Sequence, residues 1–401
     1  MTDTMNYMPP MLVGNELKRA LSVLPPYAVA IRKASVSERL IELSRLYDVY
    51  CPSPMTEEIY CKLYLALLRS LQKKQTKIAT MQGNLNRQGI TNGIIGGSDS
   101  FTILGMSGIG KSSAIGRALS LIAPKPIILT QEPYARIAPI ISVQTPYDCS
   151  VKGLLLEILR EVDKVLDTNY HSYAIKARAT TDALIGSVAN VCLHSVGLLI
   201  IDEFQNICSK NGANLMGTIL NLINSSGISV AMVGTLETRA FFSNASFQLS
   251  RRSLGLEYGV MSLDEHFIDL CRTLTSYLYI RNDFVLTDEM VQWLYQHSNG
   301  ITSVVVSLIK DAQEIAILDG SETLSIASLN KAYNQRLALL HSHMEIKTVK
   351  HPSVKQKSIS IEPTIETLGN LISDTVLKSK KGEGDLLSML QEQIYITEVS
   401  V

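Results

Sequence analysis

The sequence predicts an α/β protein in which a parallel sheet is flanked by helices, with a helical N-terminal extension before it and an all-helical lid after it. From Ser100 onward, short and nearly continuous apolar segments alternate with helical stretches, which is typical of strands covered on both faces. A glycine-rich phosphate-binding motif lies between the first of these strands and the next helix. After about Arg251 the strand pattern stops and amphipathic segments follow.

The elements are predicted from their apolar periodicity and from residues that begin or end helices. The predicted strands are Phe101–Leu104, Ile127–Leu129, Ile137–Gln144, Gly197–Asp202 and Ser229–Gly234. The helices predicted between them are Lys111–Leu121, Gly153–Leu166, Ala174–His194 and Asn214–Ser225. The predicted lid helices are Leu263–Tyr279, Thr287–Ser298, Thr302–Leu318 and Ser325–Ser342.

The first hundred residues predict two amphipathic helices, Glu38–Tyr47 and Glu57–Gln72, with apolar residues three and four positions apart. The segment Asn84–Ser98 is rich in Gly and Asn and predicts turns that lead into a new domain. We therefore expect an extension at 1–99, a nucleotide-binding α/β subdomain at 100–255, a lid at 256–344 and a flexible tail at 345–401.

Composition excludes several classes of protein. Of the 401 residues, 46% are hydrophobic, which excludes wholesale disorder, and no apolar run is long enough for a membrane helix. Met1–Pro10 lacks the basic cluster and apolar core of a secretion signal, and six scattered cysteines without a C-x-x-C pair fit reduced thiols rather than zinc. We expect a cytoplasmic protein. Because 37 basic residues balance 37 acidic ones, any contact with DNA must come from a local basic patch or from many subunits that each give a few contacts.

The segment Gly105–Ser112 (GMSGIGKS) matches the full phosphate-loop pattern, G-x-x-x-x-G-K-[ST]. Its glycines allow successive backbone N–H groups to surround a phosphate, and the helix N-terminus adds partial positive charge. Lys111 is predicted to reach the β- and γ-phosphates of ATP, and Ser112 to bind Mg²⁺. The residues predicted to contact the nucleotide are Gly105, Met106, Ser107, Gly108, Ile109, Gly110, Lys111, Ser112 and Ser113.

Two acids follow the apolar run Gly197–Ile201. Asp202, at the end of the predicted strand, is predicted to hold Mg²⁺ through water, and Glu203 to polarise the water that attacks the γ-phosphate. The alternative is an ordinary strand end at which two acids meet solvent. The apolar run and the upstream phosphate loop argue against it, and the acid pair favours ATP hydrolysis over simple nucleotide storage.

Two further features remain ambiguous in the local sequence. Thr235 follows the next predicted strand and is either a sensor of the γ-phosphate and the attacking water or the cap of the following helix. Arg251 and Arg252 have no acid nearby in sequence to neutralise them. They are either a solvated charge pair or an arginine finger that reaches a neighbouring subunit's nucleotide.

With the helical lid, this set of motifs resembles the AAA+ ATPase superfamily, and more narrowly the TnsC/TniB family of transposition regulators. The resemblance covers roughly residues 100–342, whereas the first hundred residues match more loosely. The strings that carry it are GLLIIDEFQNI (Gly197–Ile207), ISVAMVGTLETRAFF (Ile228–Phe242), LSRRSLG (Leu249–Gly255) and NGITSVVVSLIKDAQ (Asn299–Gln313).

The resemblance implies a protein that binds ATP and Mg²⁺ and assembles head-to-tail as rings or helical filaments on double-stranded DNA. It would link the transposase to a TnsD/TniQ-type target selector, in some members itself directed by an RNA-guided complex, and hydrolysis would control disassembly. The roles given above to the phosphate loop, the acid pair and Thr235 also follow by matching motif, and Arg251 or Arg252 becomes the trans-acting finger. The alternatives are an AAA+ initiator or helicase loader, and an ATP-switched scaffold with negligible hydrolysis.

One departure from the superfamily concerns the lid. Many AAA+ proteins carry an Arg near the start of the third lid helix, whereas Asn299–Ser303 has none, so we expect slow or assembly-dependent turnover.

The family's DNA-facing surface lies between the second strand and the acid pair. There, Lys152, Lys176 and Arg178 are candidate phosphate contacts, with solvated helix charges as the alternative. A few weak contacts from each subunit would add along a filament. In the tail, Thr348–Pro363 and Leu386–Ile396 are either docking peptides for the transposase or plain disorder.

Overall fold

The computed structural model describes residues 7–74, 100–131, 134–208, 212–239 and 253–338. Contacts within the chain group Met1–Ala338 into one compact unit, which holds all of the described residues, and Leu339–Val401 into another. The Arg251–Arg252 pair and the two tail segments lie outside the described residues. The domain boundaries at 99, 255 and 344 stay predictions.

Six strands of the described chain form one sheet in the order β2-β3-β4-β5-β1-β6. The predicted parallel sheet is confirmed for β3, β4, β5, β1 and β6, whereas β2 runs antiparallel to β3. The end of β2 lies directly opposite the start of β3, with Gln131 paired to Tyr134, which is too short a connection for the crossover that a parallel pair needs. The strands are β1 (Ser100–Gly105), β2 (Ile128–Gln131), β3 (Tyr134–Gln144), β4 (Val196–Asp202), β5 (Ser229–Gly234) and β6 (Ser253–Tyr258).

Strand β6 corrects the expectation that strands end near residue 251. It pairs with β1 along its whole length, from Ser253 opposite Ser100 to Tyr258 opposite Gly105. Gly255 interrupts the segment, and Leu256 is the one buried side chain among residues 255–258. A strand at the edge of a sheet buries little apolar surface, so its sequence carries a weak strand signal.

Helices cover both faces of the sheet, as the fold class predicts. Alternate residues of β4 point to opposite faces, so Leu199 and Ile201 pack with one group of helices, and Leu198 and Ile200 with the other. The helices of this region are α4 (Lys111–Ile122), α5 (Val151–Leu166), α6 (Tyr170–Lys176), α7 (Thr181–Ser195) and α8 (Gly212–Ser226). In the ranges that the structure describes, no helix combines the length and apolarity needed to cross a bilayer.

The predicted helix Ala174–His194 is two helices, α6 and α7. The chain leaves helical geometry at Arg178, whose φ is +48°, and α7 begins after Thr180, whose hydroxyl accepts a hydrogen bond from the Ala183 N–H at 3.3 Å. The alanines around the break suit a helix equally well, so the pattern did not reveal it.

The lid consists of α9 (Glu265–Ser276), α10 (Asp288–Ser298), α11 (Thr302–Leu318) and α12 (Ile326–Ala332). Asp264, Thr287 and Ser325 cap the starts of α9, α10 and α12. The last predicted helix, Ser325–Ser342, begins as α12 and continues as a π-helical turn at Tyr333–Leu337, and its residues 339–342 lie outside the described part of the chain.

The N-terminal extension, residues 7–74, packs on both parts of the molecule. It contains α1 (Gly14–Leu21), α2 (Val36–Leu43) and α3 (Pro54–Lys74), with 3₁₀ turns at Val29–Lys33 and Ser44–Asp48. Helices α1 and α3 share a core with β1 and α4, whereas the end of α2 and the second 3₁₀ turn belong to the core of the lid. The extension therefore connects the sheet and the lid by a route separate from the main chain between β6 and α9.

A buried ion pair strengthens the contact with the lid. The Arg39 side chain on α2 is fully buried and donates two hydrogen bonds of 2.7 Å to the two carboxylate oxygens of Glu322. It also donates to the carbonyl oxygen of Tyr279 at 2.9 Å. This bidentate geometry gives a strong, oriented contact between the extension and the lid.

Candidate functional site

The order of the sheet brings the predicted site residues together. Strand β5 lies between β4 and β1, and all three are parallel, so their carboxyl ends lie side by side. The phosphate loop follows β1, the acid pair ends β4, and Thr235 follows β5. A cavity of about 310 Å³ lies at this edge, lined by residues of the segment 107–113, Asp202, Glu203 and Thr235. Its size is at the lower end of the range for small-ligand sites.

Glycine is required at two positions of the phosphate loop. Gly108 and Gly110 have φ angles of +81° and +94°, in the left-handed region that other residues rarely adopt. Helix α4 starts immediately after Gly110, so its first N–H groups face the cavity. The loop therefore presents backbone donors to an anion.

Lys111 is folded back onto the loop that precedes it. Its Nζ donates to the carbonyl oxygens of Gly105 at 2.8 Å and Met106 at 2.7 Å. Burial lowers the pKa of Lys111, while the nearby charges of Asp202 and Glu203 oppose that shift. The ammonium group is thus at the floor of the cavity, on acceptors that phosphate oxygens can replace.

Gly108 also contacts the lid. The N–H of Ser303, in the first turn of α11, donates to the Gly108 carbonyl oxygen at 3.2 Å, and Ser303 lines the cavity. The lid thus presents a hydroxyl group and a helix N-terminus to the cavity. The slow or assembly-dependent turnover expected from the lack of an Arg in Asn299–Ser303 stays a prediction.

Replacing Gly108 with alanine is expected to destabilise the protein by about 1–2 kcal/mol, because alanine is strained at this φ. The new Cβ would lie 2.6 Å from Ser303 Oγ and 3.0 Å from Ile301 Cγ2, so the lid contact must also shift. Urea unfolding checks the stability, and titration with a fluorescent ATP analogue is expected to show weaker binding.

The matched control for this substitution is Gly116→Ala on α4, where nothing lies within 4 Å of the added Cβ. It is expected to leave stability unchanged or to raise it by about 0.5–1 kcal/mol. Equal effects of the two substitutions would contradict the role given to the backbone at Gly108.

The acid pair has a distinct local geometry. Asp202 is half-buried, whereas Glu203 is exposed and has a φ of +53°. The N–H of Glu203 donates to Asp202 Oδ1 at 2.8 Å. A non-glycine residue in this region is uncommon and is found at functional sites. Both acids line the cavity, Asp202 as a half-buried residue and Glu203 as an exposed one.

Gln205 connects the acid pair to the end of β5, a contact that sequence reasoning missed. Its side-chain amide donates to a carboxylate oxygen of Glu203, and its Oε1 accepts from the Thr235 N–H at 3.3 Å. Thr235 Oγ1 is buried and has no hydrogen-bond partner among the described residues. In the sequence, the polar residue two positions after Glu203 was the signal that could have indicated this contact.

The residues at this edge fit a magnesium–nucleotide complex. The unpaired Thr235 Oγ1 lacks the partner that a buried hydroxyl requires, and a phosphate oxygen or water would supply it. Ser112 and Asp202 provide the oxygen donors that Mg²⁺ prefers, and both line the cavity.

A second cavity, of about 230 Å³, lies behind the phosphate loop. The N-terminal extension contributes residues 53–55, the loop contributes Ile109, and the lid contributes His266 and Thr302. The remaining lining residues belong to the end of β6 and the connection to the lid. Because these residues come from separate segments of the chain, no local pattern predicted the cavity.

The three candidate DNA contacts are exposed. Lys152 lies in the first turn of α5, Lys176 is the last residue of α6, and Arg178 follows it. Within the described chain none of the three forms an ion pair, whereas Arg160 and Lys164 of α5 pair with acids of the same helix. The three cations are therefore available to a negatively charged partner.

Comparison with known proteins gives one family. Residues 96–254 match the family described as bacterial TniB protein. A search of curated proteins finds no significant match.

Among solved structures, the chain is similar to the ADP form of the Aeropyrum pernix ORC2 protein, with 17% identity and a TM-score of 0.41. That alignment covers 64% of this chain and just under two thirds, 66%, of that one. The chain is also similar to the Aeropyrum pernix ORC1 protein in complex with DNA, with 11% identity, a TM-score of 0.42, and 75% and 82% of the two chains covered. Residues 96–254, which carry the phosphate loop, the acid pair and Thr235, are thus similar to the bacterial TniB family, and these motifs converge at one edge of the sheet.

Proposed function

We propose that this protein hydrolyses ATP and regulates DNA transposition by assembling on duplex DNA, and that hydrolysis controls its disassembly. One observation supports the chemistry above the others. The Lys111 ammonium, the two carboxylates of Asp202 and Glu203 and the unpaired hydroxyl of Thr235 share one cavity at the end of a glycine-rich loop. The family match over residues 96–254 supports the role in transposition.

The two cavities suit the two ends of a nucleotide. The base would occupy the cavity behind Ile109, and the phosphates the cavity in front of the loop. Lys111 would release the carbonyls of Gly105 and Met106 and bind the phosphates. Ser112 and Asp202 would hold Mg²⁺, which neutralises charge on the phosphate oxygens when bound.

Hydrolysis needs a group that accepts a proton from the attacking water. Glu203 is exposed and lines the cavity, and it forms no ion pair among the described residues, so it is suited to that role. Thr235 Oγ1 would hold the water or the γ-phosphate. Arg251 or Arg252 of a neighbouring subunit would complete the site and stabilise the charge of the transition state, which makes hydrolysis dependent on assembly.

DNA binding would use Lys152, Lys176 and Arg178, repeated in each subunit. The partners in this proposal are double-stranded DNA, further copies of this chain, the transposase and a TnsD/TniQ-type selector in the cytoplasm. Contacts to phosphates position a protein without reading bases, so the selector, and an RNA-guided complex where there is one, would choose the site.

The substitution Glu203→Gln tests the proposal. Hydrolysis is expected to fall about 100-fold, the usual contribution of a general base, while ATP binding is retained. Assemblies on duplex DNA, observed by electron microscopy with ATP, are expected to persist longer than those of the wild type. The matched control is Glu289→Gln, at an exposed position in the first turn of α10.

Two results would contradict the proposal. Unchanged hydrolysis in Glu203→Gln would remove the role given to that carboxylate. A wild-type protein that stays monomeric and does not bind duplex DNA with any nucleotide would contradict the proposed assembly.

An ATP-switched scaffold is the second candidate. The absence of an Arg in Asn299–Ser303 favours it, because the lid then lacks a direct cationic contact to the γ-phosphate. A scaffold predicts that Glu203→Gln leaves the pattern of transposition unchanged, whereas the proposed enzyme predicts altered target choice.

A further inference from the structure

Gln205 lies between the two residues to which the attacking water is assigned. It is the second residue of the 3₁₀ turn Phe204–Cys208, in which Phe204 and Ile207 are fully buried. The turn is therefore anchored in the core, while the Gln205 side chain lines the cavity of the phosphate loop. A fixed backbone with a side chain in the site is the arrangement of a residue that orients its neighbours.

The Glu203 carboxylate has one hydrogen-bond donor in the described chain, the amide of Gln205. The other hydrogen bonds of Glu203 involve its backbone: its N–H donates to Asp202 Oδ1, and its carbonyl oxygen accepts from the Asn206 N–H at 3.1 Å. An exposed glutamate with no contact samples several rotamers, and only some of them direct the carboxylate at a water molecule. The hydrogen bond from Gln205 restricts the Glu203 side chain to fewer of these rotamers.

The second hydrogen bond of Gln205 reaches a different strand. Its Oε1 accepts from the Thr235 N–H at 3.3 Å, at the end of β5. A Cβ at Gly234 would lie 3.3 Å from the same oxygen and 3.1 Å from Thr238 Oγ1, so the glycine leaves room for the amide. One side chain thus joins the ends of β4 and β5, where Glu203 and Thr235, the two residues assigned to the attacking water, are located.

We propose that Gln205 is a positioning residue for hydrolysis, because its amide orients the Glu203 carboxylate and ties it to the end of β5 beside Thr235. This inference rests on the proposed function, since it requires Glu203 to act on the attacking water. Gln205 acts through Glu203, so its effect depends on that carboxylate.

The experiment is a double-mutant cycle with Gln205→Met, which keeps the length of the side chain and removes both hydrogen bonds. Hydrolysis of radiolabelled ATP is measured with duplex DNA in the wild-type and the Glu203→Gln backgrounds, by steady-state and single-turnover assays. The dissociation constant of a fluorescent ATP analogue is measured for each variant. Gln292→Met, at an exposed position of α10, is the matched control.

In the wild-type background, Gln205→Met is expected to lower kcat about tenfold, which is the scale of coupling between contacting residues. KM and the dissociation constant are expected to stay within about twofold, because the interaction acts on the chemical step. In the Glu203→Gln background the same substitution is expected to change the rate by less than about twofold, since the carboxylate to be oriented is absent.

A second variant, Gln205→Glu, keeps the shape and places a like charge beside Glu203. It is expected to lower kcat more than Gln205→Met does, whereas a residue that only fills space would tolerate both replacements equally. If Gln205→Met folds poorly, the loss of kcat in Gln205→Glu relative to the wild type still tests the contact with Glu203.

The outcomes separate this inference from the proposed function. An unchanged kcat in Gln205→Met, or a tenfold loss that persists in the Glu203→Gln background, would overturn the positioning role and leave the proposed function intact. A dissociation constant that rises in step with the loss of rate would also overturn it, as damage to the binding site. Unimpaired hydrolysis in Glu203→Gln alone would overturn the proposed function, and the inference with it.

Discussion

Replacing Lys111 with methionine is expected to lower ATP hydrolysis by about a thousand-fold, the largest effect of any single side chain at the site. The Lys111 Nζ is the cation at the floor of the phosphate cavity, 2.8 Å from the Gly105 carbonyl oxygen and 2.7 Å from that of Met106. Methionine keeps most of the length and removes the charge that would face the β- and γ-phosphates. ATP binding is expected to weaken by more than about tenfold, the loss of at least one charge-assisted hydrogen bond.

Radiolabelled ATP hydrolysis and titration with a fluorescent ATP analogue measure both effects. The control is Lys125→Met, at an exposed position after α4. Thermal unfolding is expected to show little change in Lys111→Met, because methionine also removes the cost of burying the ammonium group, which lowers the pKa of Lys111. A variant that still hydrolyses ATP at a tenth of the wild-type rate would show that the phosphates lie elsewhere.

Replacing Arg39 with methionine is expected to destabilise the protein by about 3 kcal/mol, because the Glu322 carboxylate loses its partner in a largely buried position. Arg39 is fully buried, whereas the Glu322 side chain is 16% exposed. The carbonyl oxygen of Tyr279 also loses its donor. Guanidinium chloride unfolding, followed by far-ultraviolet circular dichroism, measures the change.

Two comparisons make this prediction specific. Arg281→Met removes an exposed arginine whose Nε lies 3.9 Å from the same carboxylate, and it is expected to cost less than about 1 kcal/mol. The double variant Arg39→Met/Glu322→Gln leaves no unpaired charge and is expected to recover part of the loss. Equal destabilisation by Arg39→Met and Arg281→Met would contradict the importance of burial.

Because of this ion pair, the stability of the protein is expected to depend on pH. Hydrogen bonds from the Arg39 side chain, and its charge, hold the pKa of Glu322 below its ordinary value of 4.5. A lowered carboxyl pKa in the folded state stabilises it above the ordinary pKa, and that contribution is lost as pH falls through the folded value. The difference in the free energy of unfolding between the wild type and Arg39→Met is therefore expected to be largest at neutral pH and to decrease in acid.

The sequence predicted the parts of the site whose signals are local. Strands β1, β4 and β5 are buried along almost their whole length, so they appear as short apolar runs followed by functional residues. The phosphate loop and the acid pair are contiguous strings with fixed spacing. Their meeting at one edge of the sheet follows once the strands are parallel and adjacent, as the structure shows.

The features that the sequence did not predict depend on contacts between distant segments of the chain. Arg39 lies in an ordinary amphipathic helix, and nothing near it identifies Glu322 as its partner. The function of Gln205 depends on the return of β5 to a place beside β4. Strand β6 was missed because a solvent-facing edge needs few apolar residues. In each case local periodicity carries no information about the distant partner.

The N-terminal extension also has a mechanical consequence. The lid is joined to the rest of the fold once through the residues between β6 and α9, and again through the extension, which packs on the sheet side by α3 and on the lid by α2. A body attached at two separate places can turn, without breaking either attachment, only about the line that passes through both. Once the Ser303–Gly108 hydrogen bond breaks, opening of the lid over a nucleotide is thereby reduced from three rotational degrees of freedom to one, with its axis set in part by residues 7–74.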